Sequence, residues 1–479
     1  VVGYGTQQKK DLTGAVASIS GKDLVRSTGT SVDQALQGKV AGVYVTTNSG
    51  EPGGGLSVRV RGMGGFGGSE PLYVVDGVII TYGDHSTSNN PLATLNMADI
   101  ESINVLKDAS ASAIYGARAG NGVVIITTKR GKAGKPKLSF DAYYGFQKVV
   151  RELDLMNASE YAAFSNESRT AAEQPVHPKF ANPSSLGEGT NWQDAIFETA
   201  ATQNYQLSVS GGSENSQYFI SGGYQSQDGI ITGSKFTRYS LRINLDNQVT
   251  NWLKLGNSLT LTRTLNRSLT NGNGDKFGGI IAQALRRSPT LPVYGPGGEW
   301  AGPDAEDRPI VGDIYNPVRV AAMTNNPNER LRALGNLFLE LQLARGLTFK
   351  SSLGLDYVLT NLNQFKPALT EGVLHNNIPE AFSSKATLAN ILSEHTLNYK
   401  KKFGTQHSLE VLAGYTAQLS TYEYVSALSH NQLTSDIITV DAGETTNRLA
   451  SGNKSQTSYV SLLGRVNYSF ADKYLFTAN

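Results

Sequence analysis

Between Arg238 and Asp246 apolar and polar side chains alternate one by one. Tyr239, Leu241, Ile243 and Leu245 share one face; Arg238, Ser240, Arg242, Asn244 and Asp246 share the other. Period-two alternation specifies a β-strand with two unlike faces. One face can touch hydrocarbon while the other carries full charges. Leu253, Leu255, Leu259 and Leu261 repeat the pattern opposite Lys254, Ser258, Thr260 and Thr262. Leu337, Leu339, Leu341 and Leu343 do so opposite Asn336, Glu340 and Gln342, and Val460, Leu462, Val466 and Tyr468 opposite Ser461, Arg465 and Asn467. This rhythm places strands near 137–149, 202–212, 216–228, 237–247, 252–265, 332–343, 347–358, 391–402, 408–419, 456–470 and 474–479.

The links between these strands alternate between long and short. An antiparallel up-and-down membrane β-barrel, with tight turns at one end and long loops at the other, gives that spacing. Trp252, Phe403 and Tyr474 lie beside tight turns, where a barrel carries its aromatic girdle. A large soluble sandwich or propeller also buries one face of each sheet, so alternation alone leaves that fold open. The long links favour the barrel. The chain stops inside the last strand, and an unpaired strand in lipid leaves backbone groups unsatisfied. Further strands are therefore expected in the native protein.

The first 135 residues differ in texture. Short helical pieces mix with fully apolar runs such as 72–75 and 123–126, which suggests a small α/β globule. Ser31 is placed to cap a helix carrying Val32, Ala35 and Leu36, ended by Gly38 or Gly42.

Composition narrows the function. A length of 479 residues implies two or more units, and a net charge of +2 gives no reason to expect nucleic acid or another polyanion. Cysteine is absent, which removes disulfides and thiolate metal sites. No apolar run reaches the length of a membrane-spanning helix, and a barrel needs none. No signal peptide is visible, and the opening Val1-Val2-Gly3-Tyr4-Gly5 reads as the interior of something longer.

Two motifs are decoys. Gly62, Gly64 and Gly67 match GxGxxG, but a strand follows and no helix N-terminus awaits a pyrophosphate. The segment 271–275 begins like a calcium loop, but Lys276 stands where the turn glycine belongs. No HExxH spacing, nucleophile elbow or phosphate loop occurs. Hence no enzyme, cofactor or metal site is expected.

Six ordered stretches carry a resemblance: Val1–Gln7, Ser31–Val43, Ser57–Gly62, Pro71–Gly77, Asp99–Ala109, and Ser112–Arg118 followed by Gly122–Lys129. Together they resemble the plug domain of TonB-dependent outer-membrane transporters, within the SusC/RagA branch of Bacteroidota. The resemblance implies a segment near the TonB-coupling box at 1–10, a plug over 11–135, and the N-terminal part of the barrel over 136–479. Barrels of this kind have about 22 strands, so roughly half the wall is expected here.

It further implies import of a nutrient, an oligosaccharide or a peptide, across the bacterial outer membrane. Val1, Val2, Gly3, Tyr4 and Gly5 would belong to the segment that TonB seizes by strand addition, powered through ExbB and ExbD. The acidic residues that usually precede such valines, and the branch's N-terminal extension, lie outside the sequence. A SusD-like lipoprotein would cover the long loops, and a dimer of transporter–lipoprotein pairs is compatible with the branch. Arg59, Arg61, Glu101, Lys107 and Arg118 are candidates for ionic contacts between plug and wall, against the plainer role of ion pairs within the plug. Asp76-Gly77 is most simply a turn.

Phe66, Tyr82, Asp84, His85 and Asn89 lie in plug loops that could floor a substrate cavity. Trp192, Tyr294 and Trp300 lie in the long loops, where aromatic faces could stack on sugars or form each loop's own core. Two alternatives stay open: a siderophore or vitamin receptor without a lipoprotein lid, and an envelope protein used in surface assembly or export.

Overall fold

The computed structural model describes residues 16–25, 31–32, 34–47, 50–62, 70–80, 91–269, 279–323, 326–376, 378–434, 436–471 and 473–479. The front of the chain contains Val16–Ser20 (β1), Val43–Thr47 (β2), Leu56–Val60 (β3), Leu72–Val75 (β4), Val78–Ile80 (β5), Ile100–Leu106 (β6) and Val123–Thr128 (β7). A five-stranded sheet runs in the order β1-β6-β7-β4-β5, with β4 and β7 parallel, while β2 and β3 form a separate hairpin. The continuous apolar runs are buried on both faces, which is why they do not alternate.

The helix expected after Ser31 is a single 3-10 turn, Gln34–Leu36. Gly38 and Gly42 adopt φ values of 70° and 73°, so the chain turns twice before a helix can propagate. Val32, Ala35 and Leu36 still reach the core.

The rest of the chain builds one wall. Gly134–Gln147 (β8), Ala200–Gly212 (β9), Ser216–Asp228 (β10), Lys235–Thr250 (β11), Leu253–Arg267 (β12), Pro327–Ala344 (β13) and Leu347–Lys366 (β14) come first. A small hairpin follows, Leu369–Glu371 (β15) and Leu374–Asn376 (β16). Glu380–Phe403 (β17), His407–His430 (β18), Arg448–Phe470 (β19) and Tyr474–Ala478 (β20) complete it. Apart from β15 and β16, these form an 11-stranded sheet in sequential order, every neighbour antiparallel.

Several strands run further toward the long links than their amphipathic stretches suggested. β17 begins at Glu380 rather than near 391, and β18 ends at His430 rather than near 419. Past Ile391 the outward positions are Ala389, Thr387 and Lys385, so the greasy stripe stops while the hydrogen-bonded ladder continues.

The faces are inverted relative to a soluble sheet. Leu337, Leu353 and Leu462 are 61%, 54% and 85% exposed, whereas Arg242, Asn244, Asp356 and Asn390 are at most 2% exposed. A water-soluble sandwich buries the leucines and exposes the charges. No helix among the described residues is long and apolar enough to cross a membrane. The strands supply the lipid-facing surface instead. The plug sits on the polar side: Leu334 of β13 joins the plug's apolar cluster, and Leu392 of β17 joins a second one. The architecture is an α/β plug against the inner face of a partial antiparallel membrane β-barrel.

Candidate functional site

The closest joint between plug and wall centres on Asp76. It occupies the turn between β4 and β5 with φ of 48°, and Gly77 follows at 93°. This left-handed pair reverses the chain in two residues and aims the carboxylate at the wall. Thr128, at the end of β7, donates its backbone N–H to Asp76 Oδ1 at 3.0 Å and its hydroxyl to Oδ2 at 2.6 Å. From the wall, Arg242 Nη2 donates to the same Oδ2, and Ser258 Oγ donates at 2.9 Å. Arg242 also donates to Thr260 Oγ1 at 2.6 Å and to Ser258 Oγ at 2.8 Å.

Asn336 Nδ2 reaches the Asp76 carbonyl at 2.5 Å, and Asn244 Nδ2 the Lys129 carbonyl at 2.6 Å. Burial pushes the Asp76 carboxyl upward, but the Arg242 charge and the two Thr128 bonds outweigh it. The net result lies below the ordinary carboxylate value of 3.8.

A second tier of bonds rings the plug. Asp99 Oδ1 accepts from Gln206 Nε2 at 2.6 Å and Ser221 Oγ at 2.7 Å. Here burial prevails over those two bonds, and the carboxyl is raised. Arg238 donates to the carbonyls of Ala93 and Leu95 at 2.9 and 2.8 Å. Arg332 is held by both oxygens of Asp356, at 2.7 and 2.8 Å, and from there donates to Thr94 Oγ1 at 2.9 Å. Asn390 Nδ2 donates to the Ile79 carbonyl at 2.8 Å. Toward the short turns, Arg130 pairs with Asp246 at 2.8 Å.

The five ionic candidates fall differently. Arg61 pairs with Asp108 at 2.5 Å, and Lys107 donates to the Ala41 carbonyl; both partners lie within the plug. Glu101 is solvent-exposed, and the Arg59 Nε is buried without a hydrogen-bond partner. Arg118 does reach the wall, donating to Gln418 Oε1 at 2.5 Å with its guanidinium 4.4 Å from the Tyr459 ring. Its wall contacts there include an amide and a ring. The more deeply buried ion pair, Asp76 with Arg242, runs from a plug acid to a wall arginine, whereas the half-buried Arg130–Asp246 pair runs the other way. Asp76 was legible only as a turn residue, because nothing local links it to a cation 166 positions later.

Val1, Val2, Gly3, Tyr4 and Gly5 lie outside the described residues, as do Phe66, Tyr82, Asp84, His85, Asn89 and the segment 271–275. Trp192 corrects the expectation of a substrate-facing ring. It is 3% exposed, donates Nε1 to the Ser288 carbonyl at 3.0 Å, and packs among Phe180, Ile196, Ile280 and Val311. An indole with its N–H partner inside the protein is more stable there than in water. Tyr294, which is exposed, and Trp300, which is half-buried, form a ring pair in a hairpin of the longest link.

Between the plug contacts and the long links, alternation assigns Asn204, Gln225, Asn266, Asn328, Thr360 and Tyr422 to the inner face. Among the described wall residues of this zone the formal charges are Arg330 and, at the far rim, Lys366 and Glu380 paired at 3.3 Å. The vestibule wall is made of amides, hydroxyls and rings.

Known proteins share these features. The family described as TonB-dependent Receptor Plug Domain matches residues 8–123. TonB-dependent receptor P3 of Formosa agariphila is 34% identical over 487 residues, covering 100% of this chain and 45% of its own length. TonB-dependent receptor SusC of Bacteroides thetaiotaomicron is 32% identical over 511 residues, covering 100% and 48%. The chain thus spans about half the length of the curated relatives it matches. The solved structure of the RagAB peptide importer in its open-open state superposes with a TM-score of 0.83 at 28% identity, over 98% of this chain and 54% of that one. A ferric enterobactin receptor of Pseudomonas aeruginosa, at 15% identity and a TM-score of 0.51, shares the fold. With its plug, its inverted wall and similarity to about half of SusC and of the RagAB structure, the chain belongs to the SusC/RagA-type TonB-dependent receptors and comprises their plug and the N-terminal part of their barrel.

Proposed function

We propose that this chain is part of an energy-coupled importer in the bacterial outer membrane, and that its cargo is a neutral oligosaccharide. The observation that carries the import reading is the plug–wall joint. Among the described residues it is built mainly from hydrogen bonds and a buried ion pair, with apolar contact at Leu334 and Leu392 but no continuous apolar seam. Water can replace hydrogen bonds one by one as a plug is pulled, whereas an apolar seam must be exposed all at once. The segment around Val1 and Val2 is where TonB, energised through ExbB and ExbD, adds as a strand and pulls.

The cargo reading rests on the vestibule wall. Amides and hydroxyls satisfy the hydroxyl groups of a sugar in both directions, as donors and acceptors. An anionic siderophore favours a cationic wall, and Arg330 is the lone cation midway up the described part of it. A SusD-like lipoprotein closes over the long loops, and two such pairs assemble side by side. A peptide cargo is the second reading, favoured by the similarity to a structure titled as a peptide importer.

The test is growth and uptake on separate panels of neutral glycans and of peptides, in a strain carrying the native gene or one lacking Val1 and Val2. Glycan uptake lost with the two valines supports the reading. Undiminished uptake without them removes energy coupling, and uptake confined to peptides removes the sugar.

A further inference from the structure

The longest link carries a hairpin, residues 293–301, with an unusual foundation. Gly295 N–H donates to the Glu299 carbonyl at 2.8 Å, and Ala301 N–H to the Val293 carbonyl at 3.2 Å. Its two feet are clamped from below. The Val293 carbonyl accepts from Asn316 Nδ2 at 2.8 Å, and the Ala301 carbonyl from Arg287 Nη2 at 2.6 Å. Both clamps are anchored on Glu371, which pairs with Arg287 at 3.5 Å, with Arg319 at 3.2 Å, and accepts the Asn316 N–H at 2.8 Å. The Glu371 and Arg287 side chains are fully buried. A charged group is desolvated this completely only where partners are fixed around it, so the feet are rigid.

The tip is the opposite. Tyr294 and Trp300 face each other across the hairpin with ring centroids 4.8 Å apart and planes 33° from parallel, and Tyr294 is 53% exposed. The Glu299 carboxylate folds back over the turn, where a Cβ on Gly295 would stand 1.9 Å from its Oε1. A Cβ there would push that flexible carboxylate aside. Among the described residues no donor reaches it. A hairpin with rigid feet thus presents the exposed Tyr294 ring, packed on a half-buried Trp300, beside an exposed carboxylate to which no described residue donates.

We propose that this hairpin is a capture site for neutral, pyranose-bearing oligosaccharides, with Tyr294 and Trp300 as the stacking surface and Glu299 as acceptor for sugar hydroxyls. The inference rests on the glycan reading above and adds a distinct site to it. The C–H face of a pyranose is apolar and packs on an aromatic ring, while its equatorial hydroxyls point sideways toward a carboxylate. Rigid feet lower the ordering cost of binding. The alternative is that the rings merely staple the hairpin, as cross-strand aromatic pairs do.

The experiment uses the full-length transporter in lipid nanodiscs, titrated with α-1,4- and β-1,4-linked glucan hexasaccharides and followed by saturation-transfer NMR and Trp emission. Tyr294→Ala is expected to weaken binding about tenfold, one aromatic contact's worth. Glu299→Gln, which removes no packing, is expected to weaken it about fivefold, one hydrogen bond's worth. If glycan uptake is intact in the wild type and both variants bind hexasaccharide as tightly as it does, the hairpin site is overturned while the import reading stands. A wild type that binds no hexasaccharide and imports peptides overturns the glycan reading itself.

Discussion

Arg242 on the wall and Asp76 on the plug form a buried ion pair whose side chains are 2% and 4% exposed. The two residues come from different folding units and meet where neither layer alone could hold a charge. Neighbouring hydroxyls serve the pair: Thr128 and Ser258 complete the carboxylate's shell, and Thr260 accepts from the second guanidinium nitrogen. The joint is therefore strong when intact and costly when halved.

Arg242→Ala leaves the Asp76 carboxylate buried with the Thr128 and Ser258 hydroxyls and the Thr128 N–H but without its ion-pair partner. Breaking one side of a buried pair costs about 3–5 kcal/mol. Plug unfolding followed by denaturant titration should fall by that order, and the double variant with Asp76→Asn should lose less than the two single losses added together. Strict additivity would mean that the pair is not coupled.

Arg332 tests geometry rather than charge. Its guanidinium spans both Asp356 oxygens and still reaches Thr94 on the plug. Lysine keeps the charge but cannot form the fork. Arg332→Lys should destabilise plug seating by about 2 kcal/mol, the scale of a charge-assisted hydrogen bond. Unchanged thermal stability of the plug would show that the fork is incidental.

Leu337 tests which side of the wall faces lipid. Arginine at the midplane of a barrel's outer face costs about 2–4 kcal/mol. Leu337→Arg should lower folding yield into bilayers, while Asn336→Ser, one position away on the inner face, should leave insertion unchanged. Equal behaviour of the two would contradict the assignment of faces.

The wall was legible in the sequence because a two-sided strand advertises itself in every window. Arg238–Asp246 states both faces within nine letters, and the ladder then pairs Arg242 with Thr260 as alternation requires. Strand ends were less legible: past Ile391 hydrogen bonding continues without any apolar signature. The plug's order came from resemblance, since a sheet buried on both faces has no period to read. The joint was hidden for another reason. Asp76 sits in a turn that explains it locally, and Arg242 is one of several cations on a wet face. Only the docking of one unit into the other selects that pair. Trp192 was misplaced because a loop's own core looks, in sequence, like any exposed aromatic.

Gly131 marks the passage from plug to wall. A Cβ there would stand 2.4 Å from the backbone nitrogen of Tyr218 and 2.6 Å from its carbonyl oxygen. Backbone on a paired strand cannot retreat as a side chain can, so Gly131→Ala must displace the linker. A loss of about 1–3 kcal/mol is expected, the range for overpacking. Melting of the purified protein checks it, and a stability equal to wild type would show that the linker can shift freely.

Acid separates the two buried plug carboxylates. Asp76 is held below the ordinary value of 3.8 because the Arg242 charge and the Thr128 bonds overcome its burial. The unfolded chain then binds the proton first, so Asp76 stabilises the seated plug fully above that ordinary value. The contribution fades as pH falls through its lowered value. Asp99 has the opposite sign. Burial outweighs its bonds to Ser221 and Gln206 and raises it, so the folded state holds the proton longer. Its ionisation opposes seating as pH rises from the ordinary value through the raised one.

Equilibrium unfolding across this range should show Asp76→Asn flattening the acid limb, because the group that titrates there is gone. Asp99→Asn should instead remove the decline on the higher side and leave the acid limb intact. The two effects should fall short of strict additivity: the shells of bonds are separate, Thr128, Arg242 and Ser258 for one and Gln206 and Ser221 for the other, but the Arg242 charge acts on both carboxyls. If Asp99→Asn leaves the profile unaltered, burial does not govern that carboxyl, and the second tier holds the plug by its neutral bonds alone.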